Sequence, residues 1–190
     1  MIPMPEDHRM TADEFLEWNQ RREGHVGRWE LIDGVPMQMM VGARRAHNVV
    51  ASNLVIRLGS DLRGGGCDVM SSDAAVRVSD LQVRYPDLVV DCGEGTPDDL
   101  AAAEPVLVAE VASPSTRGFD AVRKLREYQS VPAIAYIVLI EPSAIDVQVY
   151  AREGDGWQVT QYRSREDVID LPRLGTILPL SDIYEGIEVD

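Results

Sequence analysis

Residues 106–116 read VLVAEVASPST, and the folding of the chain turns on this run. It is apolar nearly throughout, as expected of a strand covered on both faces of a sheet. Glu110 is the exception. A carboxylate in such surroundings must take up a proton, find a partner or hold a metal ion, because burying it bare costs several kcal/mol or more.

Upstream, YPDLVVDCG reads as another strand, opening on Pro86 where a missing N–H does least harm. EGTPDDLAAAE between the two is a polar loop or a short helical turn. Downstream of SPST, residues 118–129 have a helical pattern, and AIAYIVLIE, AIDVQVYARE and GWQVTQY are three successive strands. Nearer the N-terminus, Thr11 stands three residues before Glu14, the spacing of a capping box, so a helix starts there ahead of Phe15, Leu16 and Trp18. RWELIDGVPMQMM is a hairpin turning at Asp33 and Gly34, with Glu30 on its first strand. From Arg44 to Leu62 the apolar residues Val50, Leu54, Val55 and Leu58 recur at helical spacing, and RGGG at 63–66 stops the pattern. CDVMSSDAAVRV gives a strand, a turn and a strand. A short terminal helix is expected near Ser181.

This order of elements is that of an α/β sheet flanked by helices, preceded by an N-terminal helix and β-hairpin. At 190 residues the chain is expected to form a single domain over 1–190, with residues 1–10 a flexible extension. The hydrophobic fraction of 45% and charged fraction of 26% are those of an ordinary globular protein. MIPMPEDHRM lacks the apolar centre of a signal peptide, and no long uninterrupted apolar run follows, so a cytoplasmic protein without a membrane segment is expected. Cys67 and Cys92 are too few for a disulfide scaffold and lack zinc-site spacing; buried free thiols are expected. RGGGCD does not have the spacing of a phosphate loop. The net charge of −14 counts against a strong non-specific grip on nucleic acid.

Side chains on a strand alternate, so Glu110 shares a face with Val108 and Ala112, and Asp87 shares one with Val89 and Asp91. If the two strands are neighbours, the carboxylates of Asp87 and Glu110 meet and raise one another's pKa unless a cation sits between them. Oxygen ligands of this kind suit Mg²⁺ or Mn²⁺, which keep positions open for water and for a phosphate oxygen. Phosphodiester hydrolysis is the chemistry implied. On the following helix Asp120, Lys124 and Tyr128 are spaced by four and form one column. Lys124 is the single lysine beside 17 arginines. Codon bias explains the general preference; a lysine retained here can hold or deprotonate the attacking water, whereas arginine does not release its proton.

GRWELIDG, YPDLVV and LVAEVASPSTRGFDAVRKLREYQ together resemble the Uma-type putative restriction endonucleases, a bacterial group within the PD-(D/E)XK nuclease superfamily. The resemblance runs from about Thr11 to about Tyr150. It implies a restriction-endonuclease-like mixed β-sheet, DNA as substrate, a Mg²⁺ (or Mn²⁺) cofactor and a two-fold homodimer. By position, it implies that Pro86 and Asp87 match the Pro-Asp of the superfamily signature and that Glu110 matches its second acid. Ala112 stands where the signature lysine would be, and Lys124 resembles a lysine relocated to the next helix. Glu30 matches an early glutamate that adds a metal or water contact, His47 matches a histidine at the start of the long helix, and Trp29 replaces a tyrosine. Ser113, Asp120, Tyr128 and His47 are candidates for contact with substrate or with the residues that hold the ion.

Each residue also has an ordinary alternative. Asp87 can be a turn residue after proline. Glu110 can pair with Arg117 or Arg123 in a buried salt bridge, Lys124 with Asp120 one turn back, and Glu30 with an arginine across the hairpin. The arginines at 21, 22, 44 and 45 can be phosphate contacts or scattered surface charge. The leading functional expectation is a metal-dependent endonuclease acting on DNA. A catalytically inactive dimerisation or binding module of the same fold, and a phosphodiesterase for small nucleotides, are its competitors.

Overall fold

The computed structural model describes residues 9–21, 27–39, 42–113 and 119–189. The N-terminal stretch expected to be flexible falls largely outside them, as do Arg22, Arg117 and most of SPST. The elements in chain order are α1 (Ala12–Gln20), β1 (Arg28–Ile32), β2 (Val35–Met39), α2 (Arg45–Leu62), β3 (Asp68–Ser71), β4 (Val76–Ser79), β5 (Gln82–Arg84), β6 (Leu88–Asp91), β7 (Pro105–Val111), α3 (Phe119–Ser130), β8 (Tyr136–Glu141), β9 (Asp146–Glu153), β10 (Gly156–Tyr162), β11 (Val168–Leu171), β12 (Thr176–Pro179) and α4 (Leu180–Ile183).

Local chemistry sets several of these boundaries. Thr11 caps α1 and Glu14 bonds back to the Thr11 N–H at 2.8 Å, which completes the capping box. Asp33 and Gly34 both take positive φ, 51° and 77°, the twist that a two-residue hairpin loop between β1 and β2 needs.

The main sheet has six strands in the order β10-β9-β8-β7-β6-β3, and β7 and β8 are its parallel pair, connected through α3. A second sheet, β2-β1-β5-β4, carries the hairpin. The alternation along β7 separates two cores. Leu107, Ala109 and Val111 pack with Val50, Leu54 and Leu58 of α2 and with the C-terminal segment, while Val108 packs with Val89, Val76, Ile137 and Tyr128. Glu110 therefore faces the side of the sheet that α3 and the smaller sheet cover. Among the described residues no helix is long and apolar enough to cross a membrane.

The structure departs from the sequence reading in three elements. The strand after Pro86 begins at Leu88, so the proline and Asp87 lie ahead of it. β5 was not expected and is only three residues long. The tail contains the antiparallel pair β11-β12 before α4. A fourth correction concerns the cysteines: Cys67 and Cys92 are joined in a disulfide and are not free thiols. The cause is sheet register, since Asp68 pairs with Asp91 and the flanking cysteines are brought together with Cα atoms 4.1 Å apart.

Candidate active site

The antiparallel register of β6 and β7 pairs Leu88 with Ala109 and Val89 with Val108, which sets Asp87 opposite Glu110. The Val111 N–H donates to Asp87 Oδ2 at 2.8 Å, closing that end of the pair. His47, in the first turn of α2, places Nε2 3.3 Å from the same oxygen, and Arg28 Nη1 lies 4.0 Å from Oδ1. Burial opposes the charged form of Asp87, but the His47 hydrogen bond and the Val111 N–H outweigh it and hold the carboxyl below its usual range. Arg28 also donates to the carbonyls of Ser72 (2.6 Å), Tyr85 and Pro86 (3.3 Å), so it fixes the backbone that delivers Asp87.

Glu110 is met from the helix side. Lys124 Nζ stands 3.1 Å from Oε1 and 3.4 Å from Oε2, and the Tyr128 hydroxyl donates to Oε1 at 2.7 Å. The column read from the sequence brings Lys124 and Tyr128 to one carboxylate; Asp120, a turn earlier, adds only its charge to Lys124. Burial pushes the Glu110 carboxyl up against the pull of Lys124, and Asp87 across the strands pushes it further. Lys124 is 8% exposed at its side chain. Burial works against its ammonium, yet Glu110 and Glu30 outweigh it and hold the pKa above the ordinary lysine value. Burial, then the Glu110 and Glu30 charges, raise the Tyr128 phenol well above its ordinary value, so it stays a donor.

Glu30 lies on the far side of the lysine, its Oε1 3.4 Å from Nζ. Its other oxygen accepts from Arg84 Nη1 at 2.6 Å. Arg84 is fully buried and also donates to both oxygens of Glu127, at 2.5 and 3.0 Å. Arg123 Nε adds a bond to Glu127 at 2.8 Å, and its Nη2 reaches Asp33 of the hairpin at 2.8 Å. A continuous charge chain thus runs from the small sheet through α3 to Glu110. The alternative pairing of Glu110 with Arg123 is not the one formed, and Arg117 lies outside the described residues. Glu30 pairs with Arg84 of β5; its neighbour across the hairpin is Met37. Arg21, Arg44 and Arg45 are exposed, and Ser113, two residues beyond the end of β7, is partly buried.

Among the described residues, no three His, Cys, Asp or Glu side chains converge as a ready-made metal cage. Asp87 and Glu110 instead present two facing carboxylates. This is how Mg²⁺ is commonly held, through one or two carboxylates with several retained waters, so these residues fit that ion.

Arg28, Arg84 and Glu127 were missed in the sequence. Only the Arg123–Glu127 spacing of four on one helix hinted at any of them. The coupling of His47 to Asp87 has a direct check. By NMR titration, the His47 midpoint should lie above the ordinary value of about 6.5, because the Asp87 hydrogen bond dominates its environment. In Asp87→Asn the midpoint should fall, because the largest raising influence is gone while burial still opposes the charged ring and only Asn48 and the Glu110 charge support it. An unchanged midpoint would show that the two are not coupled.

Fold and site together define the class: a mixed α/β domain of nuclease-like architecture, with an acid just ahead of β6 facing an acid on β7. The fold matches a crystal structure described as "a putative nuclease belonging to DUF820" from Anabaena variabilis, with a TM-score of 0.69 at 19% identity, over 92% of this chain and 97% of that one. The Uma2 family, described as "Putative restriction endonuclease", matches residues 12–181, and the chain belongs to that family. Two Synechocystis proteins are similar in sequence. "Uncharacterized protein slr1290" is 29% identical over 186 residues, 94% of this chain and 93% of its own length. "Uncharacterized protein sll1609" is 30% identical over 157 residues, 80% of this chain and 86% of its own.

Proposed function

We propose that the protein is a divalent-metal-dependent endonuclease that hydrolyses phosphodiester bonds in DNA. The observation that carries this reading is the position of Lys124, held between Glu110 and Glu30 while Asp87 faces Glu110 from just ahead of β6. Asp87 and Glu110 would hold Mg²⁺ or Mn²⁺, countering the burial and the Asp87 repulsion that raise the Glu110 carboxyl. Bound there, such an ion lowers the pKa of a coordinated water and offsets charge gathering on phosphorus.

The protein's own groups do the rest. Tyr128 and Lys124 fix the orientation of Glu110, and His47 with the Val111 N–H fixes that of Asp87. Lys124, kept protonated by its two glutamates, is a donor that positions the attacking water and a cation that offsets phosphate charge. It does not act as the base. Glu30 serves this lysine, being turned to Lys124 and Arg84.

Cleavage of plasmid and oligonucleotide DNA in Mg²⁺ by Lys124 variants tests this assignment. Lys124→Met is expected to lose about 10²–10³-fold in rate, the scale of losing one preorganised charge donor. Lys124→Arg should recover part of it with an unchanged pH profile, since both are cations throughout. A Met variant as fast as the wild type would refute the role of Lys124. The net charge of −14 favours the non-catalytic module as the competing reading, and a wild type that binds DNA yet cuts none in any divalent metal would establish it.

A further inference from the structure

The groove that holds Glu110 and Lys124 continues beyond them. Sheet register places Asp87, Glu110, Leu139, Gln148 and Gln161 in one row across five strands, all on the face that α3 covers. Over Glu110 the roof is Tyr128 and Lys124. Further along, Ala121 and Leu125 replace them, and the shorter side chains leave a cavity of about 330 Å³ between helix and sheet. Strands are spaced about 4.8 Å apart, so Gln148 lies two spacings, roughly 10 Å, from Glu110. That span is comparable with the reach of one nucleotide from its phosphate to the far edge of its base.

The chemistry of the cavity changes along its length. Lys124 supplies the positive end. Leu125 above and Leu139 below form apolar walls suited to a flat ring. Among the described residues the far end is formed by Gln148, Asp146 and Glu141, with no cation in that set. Gln148 Oε1 already accepts from the Tyr150 hydroxyl at 3.2 Å, which directs its amide NH₂ to be the donor. Asp146 is anchored through Oδ1 by Gln161 Nε2 at 2.6 Å, and Glu141 Oε1 accepts from the Ser143 N–H at 3.1 Å. Two carboxylates there repel a second phosphate but can accept from the N–H groups on a base edge. The volume is near the lower limit for ligand pockets, about 300–1,000 Å³, enough for one nucleotide and far too small for a duplex.

We infer that this groove takes one unpaired nucleobase beside the phosphate held at Glu110 and Lys124, so that single-stranded or locally melted DNA is the preferred substrate. The inference rests on the nuclease reading above. A base inside a duplex cannot reach such a pocket without leaving the stack.

The test is fluorescence anisotropy in Ca²⁺ with a short single strand, the same strand carrying an abasic residue at each position in turn, its duplex, and a free mononucleotide. Cleavage in Mg²⁺ is measured in parallel. The single strand should bind at least about tenfold more tightly than the duplex, and an abasic residue at one position should weaken binding about tenfold. Leu139→Trp and the milder Ala121→Leu, both filling the groove and checked for native melting, should abolish the abasic effect. Equal affinity for duplex and single strand, or no sensitive abasic position, would overturn the inference even if the enzyme cuts DNA. A mononucleotide binding as tightly as the strand would overturn the assignment to DNA in favour of small nucleotides. Base-dependent binding without cleavage would leave the groove standing and remove the nuclease reading instead.

Discussion

Replacing Arg84 with methionine is expected to destabilise the fold by about 3 kcal/mol, a fall in Tm of about 6–12 °C for a chain of this size. Arg84 is fully buried and donates to Glu30 from one side and Glu127 from the other. Breaking a buried ion pair by removing one partner costs about 3–5 kcal/mol, because the remaining charge is left without compensation. The lower end applies here, since Lys124 still faces Glu30 and Arg123 and Gln82 still bond Glu127. The double variant Arg84→Met, Glu127→Gln should regain part of the loss by removing one stranded charge. Thermal melting measures both. A loss under about 1 kcal/mol in the single variant would mean that the charge chain does not tie the small sheet to α3.

Glu110→Gln has the largest expected effect on activity. The amide keeps the size of the side chain and an acceptor for the Tyr128 hydroxyl, so the fold should survive. What disappears is the negative charge that pairs with Lys124 and that, with Asp87, would hold the metal ion. A loss of about 4 kcal/mol of transition-state stabilisation, roughly a thousandfold in rate, is expected for cleavage in Mg²⁺. Because the Glu110 charge is the main influence holding the Lys124 pKa up against burial, the same variant should lower it. A variant that folds, and cleaves within about threefold of wild type, would exclude Glu110 from the chemistry.

How much of this was legible in the sequence depended on how local its causes were. The Thr11–Glu14 box, the Asp33–Gly34 turn and the continuous apolar run of β7 are decided within a few residues, and each formed where the pattern put it. β5 escaped because its three residues include a buried arginine, and β11-β12 because Pro172 and Gly175 divide a segment that reads as loop. The Cys67–Cys92 bond depends on the register between β3 and β6, which no spacing in the chain reveals. The same holds for the site. Glu110 stood out as a charge in an apolar run and Lys124 as the single lysine of the chain, and on the helix the spacing of four put Tyr128 beside it. Arg28 and Arg84 look like any other arginine, and their partners come from distant segments that only the folded sheets bring near. The net charge of −14 was legible from the start, and in the fold acids also stand at the far end of the groove, away from Lys124.

The most direct measurement is calorimetric titration of Mn²⁺ into the wild type, Asp87→Asn and Glu110→Gln. One ion per chain in the wild type, with binding lost or weakened at least about tenfold in each variant, is the expected result. Absence of binding in the wild type, or equal binding in all three, would contradict the claim that the facing carboxylates form a metal site.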